Sequence, residues 1–373
     1  MIDNKGFYDL LLEQKIDFFT GVPDSLLKDF CAWLTDNADS KSHIITANEG
    51  AAVGLGMGYH LATGKIPLVY MQNSGLGNSI NPLLSLTDRE VYSIPLLLLV
   101  GWRGEPGVKD EPQHVKQGKV MLPLMDAMEL PCAVMGPDSD AEAILRKAGE
   151  HFKAHSSPYA ILVQKGSFET HKLKNAVETD FPMNREQAIE RLLRWMAPED
   201  VVVSTTGMTS REVFEIREAE GQGHAKDFLT VGGMGHASQI ALGVAMQKPG
   251  RRVYCIDGDG AALMHLGSLA INGLSQCDNF KHVLINNGAH DSVGGQPTAG
   301  FDVDFGAVAR ALGYATVLRE NDPERLADAL DALKNGAGPG ILEIRVNKGA
   351  RKDLGRPTTT PTQNKTAFMQ FLS

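Results

Sequence analysis

The sequence predicts two doubly wound α/β domains, each built on a mainly parallel sheet. Three observations predict this. Apolar runs of strand length alternate with helix-period stretches along most of the chain, the pattern of α/β proteins. The alternation breaks over 166–183, which is polar and without clear period, and then starts again. A chain of 373 residues also exceeds one average domain. The expected organisation is a first domain over 1–175, a second over 183–348 and a C-terminal tail over 349–373.

In the first half, Phe7, Leu10 and Leu11 share a helical face, and Phe18 to Thr20 reads as a short strand ending at Gly21. Further strands are expected at 44–46, 67–71, 95–100, 132–134 and 159–163, with helices over 51–62 and 140–155 between them. Asn184 opens the second half as a helix cap. Gln187, three positions on, completes a capping box, and Ala188, Ile189, Leu192 and Leu193 form the buried stripe. Strands follow at 201–204, 228–231, 253–256, 283–286 and 341–346. A helix is expected over 321–333, and a short one from Gln363.

Composition narrows the function classes. Hydrophobic residues make up 43% and charged residues 22%, an ordinary globular balance. The net charge of −9 argues against a nucleic-acid partner, which calls for a basic surface. The most apolar run, Ile94 to Val100, is far below the roughly 20 residues that span a bilayer, so no membrane partner is expected. Met1 to Asp9 carries no signal-peptide pattern. The four cysteines form no CxxC pair and read as buried free thiols. A cytoplasmic location is the expectation.

The chemistry concentrates between Gly258 and Asn287. A strand runs into Asp257-Gly258-Asp259-Gly260-Ala261, a helix follows, and Asn286-Asn287 closes the next strand. Ligands of open α/β sheets bind at these carboxyl ends. Gly258 and Gly260 allow a close backbone approach. The amides near Ala261 suit a phosphate. Asp259 and the amide oxygen of Asn287 are hard oxygen donors for Mg2+ bridging a diphosphate to protein. Thr206-Gly207-Met208-Thr209 likewise joins a strand to a helix, where backbone N–H groups suit diphosphate contacts.

The GDG, helix, strand, NN arrangement resembles the diphosphate signature of thiamine diphosphate enzymes. The resemblance implies metal binding by Asp259, Asn287 and the main chain of Ala289. It implies that Met234 and Gly232, in Val231-Gly232-Gly233-Met234-Gly235, hold the cofactor bent and bond its amine. It also implies a glutamate that contacts the aminopyrimidine ring. Asn48-Glu49-Gly50-Ala51-Ala52 fits that requirement, with Gly54, Gly56 and Gly58 allowing close approach to the helix that follows. With no room for a middle domain, nearly the whole chain is similar to the phosphonopyruvate and sulfopyruvate decarboxylase branch. The motifs carrying this are Gly21-Val22-Pro23-Asp24-Ser25, Asn73-Ser74-Gly75-Leu76-Gly77-Asn78, Gly101-Trp102-Arg103-Gly104, Asp110-Glu111-Pro112-Gln113-His114 and Arg351 to Pro357.

This likeness implies a small anionic 2-keto acid substrate, 3-phosphonopyruvate before sulfopyruvate, and release of CO2 with 2-phosphonoacetaldehyde. Arg103 and Lys109 are candidates to hold the phosphonate, with Arg351 and Arg356 as a basic lid or as solvated tail charges. His114 and Asp24 are candidate proton or orienting groups. His236 and His290 flank the cofactor loops. Because Glu49 and Asp259 fall in different domains, the resemblance implies sites between subunits of a homo-oligomer, at least a dimer. A non-catalytic cofactor-binding subunit is the alternative of a different class.

Overall fold

The computed structural model describes residues 1–176 and 178–373; Val177, inside the expected linker, lies outside the described residues. The chain divides into two compact units. The first is Met1–Ala176 with Val293–Gln296, and the second is Val177–Ser292 with Pro297–Ser373.

The first unit holds β1 (Phe19–Gly21), β2 (His43–Ile45), β3 (Leu68–Gln72), β4 (Leu97–Gly101), β5 (Cys132–Met135) and β6 (Tyr159–Val163). They form a six-stranded sheet in the order β2-β1-β3-β4-β6-β5, parallel throughout. The second holds β7 (Val201–Ser204), β8 (Asp227–Leu229), β9 (Val253–Gly258), β10 (Phe280–Asn286), β11 (Thr316–Arg319) and β12 (Gly340–Arg345). Their order is β11-β12-β10-β9-β7-β8, again parallel. Counted from each unit's own first strand, both sheets run second, first, third, fourth, sixth, fifth. The duplicated architecture expected from the alternation is therefore present strand for strand.

Both faces of each sheet are covered, as parallel sheets require. Leu97 and Leu99 enter one apolar cluster and Leu98 and Val100 the opposite one. Tyr254 and Ile256 are likewise separated from Val253 and Cys255. Each fully buried side chain of this size contributes roughly 1.5–3 kcal/mol, which fixes the strand ends on which the loops stand. The Asn184–Gln187 capping box is formed and starts the helix Arg185–Trp195.

Several expectations need correction. β11 was not foreseen: it is a half-exposed edge strand, without the apolar run that marks a central one. The helix expected from Asn321 begins at Leu326, because Pro323 disfavours helical backbone at Asp322. All four cysteines are free, but only Cys31 and Cys255 are buried; Cys132 and Cys277 are half-buried. The tail docks on the second unit. Its helix Pro361–Leu372 starts from a capping box at Thr360, buries Phe368, and Asn364 bonds the backbone of Leu229 and Asp227.

Candidate active site

Strand order locates the ligand crevice of each unit. The chain leaves β1 toward one edge of its sheet and β3 toward the other, so a crevice opens beyond their carboxyl ends. In the second unit the equivalent crevice lies beyond β7 and β9.

Glu49 lies beside the first crevice. Asn48 caps the helix Glu49–Thr63 by accepting from the amides of Gly50 and Ala51, which holds Glu49 at its first turn. The carboxyl is buried, and burial raises its pKa above the ordinary glutamate value. Asn78 donates to Glu49 Oε2 at 2.8 Å. A side-chain carbon on Gly75 would fall 2.3 Å from Glu49 Oε1, so Gly75 is glycine to admit this carboxyl. Of the three helix glycines, only Gly56 makes the close approach expected, against Pro67 and Val69; Gly54 and Gly58 face open space.

Asp24, Arg103, Asp110 and His114 gather at the same edge. Asp24 is fully buried, which raises its pKa, and its Oδ2 accepts from the amide of Leu26. Arg103 donates from Nε to Asp110 Oδ2 at 2.8 Å and from Nη1 to Ser25 at 2.6 Å, and it forks a second nitrogen onto Asp110. Burial alone would raise the Asp110 carboxyl, but these bonds and the amides of Glu111 and Gly104 hold it well below the carboxylate range. Asn73 brackets Arg103 through the latter's backbone. His114 stands on the helix Pro112–Lys119, not in a loop. It is buried, its Nδ1 has no hydrogen-bond partner among the described residues, and burial together with the Arg103 charge lowers its pKa to about 4. Lys109 is exposed, with no ion pair among the described residues.

In the second unit Gly207 ends the turn after β7 at φ +92° and ψ −136°, a conformation open only to glycine. The helix Met208–Ala219 starts directly after it, without a side-chain cap from Thr209. Asp259 begins the short helix after β9 and is 2% exposed. Burial raises its carboxyl to about 6. It accepts from the Thr298 hydroxyl and from the Asn287 amide, and no basic side chain bonds it among the described residues. Gly260 lies under the Met234 methyl, 3.3 Å from a side-chain carbon placed there, and under the His290 ring. His290 is buried, which lowers its pKa to about 4. His236 is exposed and bonds the carbonyls of Gly233 and Met234.

The two asparagines divide the work. Asn286 is pinned by the carbonyl of Gly300 and by Glu343, so it braces the strand end. Asn287, the first residue past β10, donates from Nδ2 to Asp291 at 2.8 Å and accepts the amide of Ala289 at 3.1 Å. Gly288 turns the chain between Asn287 and Ala289 at φ +64°. Sequence reasoning passed over Asp291 and its partner Arg185. Arg185 donates to Asp291 at 2.7 Å and clamps Glu212 with two further nitrogens. The only sequence signal was a basic residue in the first turn of a helix, where the dipole disfavours it.

A buried carboxylate without a cation, an oriented amide oxygen and a glycine turn at the switch point fit a divalent metal and the diphosphate it neutralises. Asp259, Asn287 and the Ala289 carbonyl are the oxygen donors available. In the tail, Arg351 pairs with Glu186, Glu215 and Asp353, and Arg356 is exposed.

Two such sheets, with a buried glutamate beside one crevice and this donor set at the other, define a thiamine diphosphate enzyme. The N-terminal thiamine pyrophosphate-binding domain matches residues 4–130, and the C-terminal one residues 205–344. Phosphonopyruvate decarboxylase of Streptomyces viridochromogenes is 33% identical over 95% of this chain and 90% of its own. That of Streptomyces hygroscopicus is 34% identical over 94% and 89%. Sulfopyruvate decarboxylase of Methanosarcina acetivorans is 26% identical over 87% and 86%. The chain belongs to the phosphonopyruvate decarboxylase family of thiamine pyrophosphate enzymes.

Proposed function

We propose that the chain removes CO2 from 3-phosphonopyruvate to give 2-phosphonoacetaldehyde. The observation that carries this reading is the near full-length identity of 33–34% with two phosphonopyruvate decarboxylases, against 26% with a sulfopyruvate decarboxylase. Bound thiamine diphosphate supplies an electron sink for the pair left behind by CO2.

The residues of the chain then have distinct tasks. Asp259, Asn287 and the Ala289 carbonyl hold the metal. The backbone of Gly207, Met208 and Thr209 and of Gly258, Gly260 and Ala261 meets the diphosphate. Met234 and Gly232 shape and bond the cofactor. Glu49, raised in pKa by burial, carries the proton exchanged with the aminopyrimidine. Arg103, fixed by Asp110 and Ser25, keeps unused N–H bonds for the phosphonate, and Lys109 adds an exposed charge. His114 delivers a proton, helped by the substrate's own negative charge, and Asp24 orients it. Arg351, held by Glu186, Glu215 and Asp353, tethers the tail, and Arg356 adds an exposed positive charge to it. A merely cofactor-binding subunit would have no use for a glutamate buried at an energetic cost.

The site is completed between subunits of a homo-oligomer in this reading. Its support is apolar surface. Leu55 and Leu61 stand exposed beside Gly54 and Gly58 on one helix of the first unit. Ile240, Met246, Ile271 and Leu274 are exposed on the second. No helix of the described residues is long and apolar enough to cross a membrane.

Turnover of both acids with thiamine diphosphate and Mg2+ tests the substrate. The expected result is a higher kcat/KM for phosphonopyruvate; preference for sulfopyruvate contradicts the reading. Sedimentation velocity tests the assembly, and a monomer at assay concentration contradicts it.

A further inference from the structure

Asn287 is the residue of the metal loop whose orientation decides its chemistry. An amide offers either an acceptor oxygen or a donor nitrogen, and only the oxygen binds a cation. Two contacts choose between them. The carboxylate of Asp291, which can only accept, takes Asn287 Nδ2 at 2.8 Å, and the Ala289 amide donates to Asn287 Oδ1 at 3.1 Å. Asp291 is itself fixed. Its Oδ2 also accepts from Arg185 Nη1 at 2.7 Å and from the amide of Gly349 at 2.9 Å. Arg185 is fixed in turn by its two bonds to Glu212 at 2.8 and 2.9 Å.

This arrangement is costly to keep for folding alone. Arg185 and Glu212 are buried, and a buried ion pair seldom stabilises more than apolar packing of the same volume. Arg185 also sits in the first turn of its helix, against the dipole. The group carries one positive charge, on Arg185, and two negative ones, on Glu212 and Asp291. The group therefore carries a net negative charge beside the Asn287 amide.

We propose that Arg185 and Asp291 are positioning residues: they lock the Asn287 amide with its oxygen toward the metal, without touching metal or substrate. The proposal rests on the metal role assigned above to Asp259 and Asn287. The Gly349 bond extends the same lock to the segment after β12, so that the tail and the metal loop share one anchor.

Mn2+ binding to the full chain in the presence of thiamine diphosphate, read by the loss of the free-ion electron spin resonance signal, tests it. Asp291→Ala is expected to weaken Mn2+ binding about 10- to 100-fold, the usual effect of removing an outer partner of a metal ligand. Asp291→Asn and Arg185→Lys, which retain part of the lock, are expected to fall between Asp291→Ala and wild type. If Asp291→Ala does not fold, these two variants carry the test. The melting temperature of each metal-free variant is measured alongside. Lower melting temperatures with wild-type Mn2+ affinity in the folded protein would mean a purely structural network, and overturn the proposal. A wild-type chain that binds no Mn2+ with the cofactor overturns the underlying metal assignment instead, and is told apart by appearing without any substitution.

Discussion

The Glu49 carboxyl lies against the α-carbon of Gly75: a side-chain carbon there would stand 2.3 Å from Oε1 and 2.6 Å from the carboxyl carbon. The two residues come from different strand ends, and the missing side chain of one is the space occupied by the other. Gly75→Ala should therefore displace Glu49 while leaving the sheet intact. Expected is a loss of at least about 100-fold in kcat, the scale of removing a positioned acid–base group. Unchanged far-ultraviolet circular dichroism would show that the fold persists.

Gly207 gives a second prediction. At φ +92° and ψ −136°, any side chain strains the backbone by on the order of 1–3 kcal/mol. Space is not the obstacle, since Ser292 is 3.7 Å from a side-chain carbon placed there. Gly207→Ala should lower the unfolding free energy obtained from urea titration by that amount. It should also weaken thiamine diphosphate binding, measured by calorimetry, because the amides after the turn are re-aimed.

Arg103 gives a third. Its fork onto Asp110 depends on a planar guanidinium. Arg103→Lys keeps the charge and loses the fork, so the phosphonate site loses its alignment. A charged hydrogen bond is worth about 1.5–3 kcal/mol, and kcat/KM for phosphonopyruvate should fall roughly 10- to 100-fold. Cofactor affinity should stay unchanged.

His114 gives a fourth, in pH. Burial and Arg103 lower its folded pKa to about 4 from the ordinary 6.5. The unfolded chain therefore binds a proton that the folded one refuses between those values. The stability from keeping it neutral is full above 6.5 and is lost as pH falls toward 4. Asp259, raised to about 6, acts in the opposite sense, so the comparison must be between proteins. Urea unfolding of His114→Asn should lose less stability than wild type between pH 6.5 and 4.

Much of this was legible in the sequence because it is local. Central strands such as β4 and β6 are continuous apolar runs, and the Asn184–Gln187 box is written in four residues. Glu49 and Asp259 were found through motifs that each occupy one strand end. What stayed hidden depends on distant pairing. Nothing near position 291 points to Arg185, and nothing in Asn286-Asn287 says that the first brace of the pair is Glu343. β11 escaped because a half-exposed edge strand lacks the apolar signal. Gly54, Gly56 and Gly58 of helix Glu49–Thr63 looked alike in sequence, yet of these three only Gly56 meets a neighbour within the chain.

The most direct test of the account compares CO2 release from 3-phosphonopyruvate by wild type and Glu49→Gln, each saturated with thiamine diphosphate and Mg2+. Glutamine keeps the size of the side chain and the reach to Asn78 but cannot carry the proton. The account predicts cofactor-dependent release by wild type and a fall of about 100- to 10,000-fold in the variant, the range for loss of an acid–base group. Release by Glu49→Gln at the wild-type rate would contradict it.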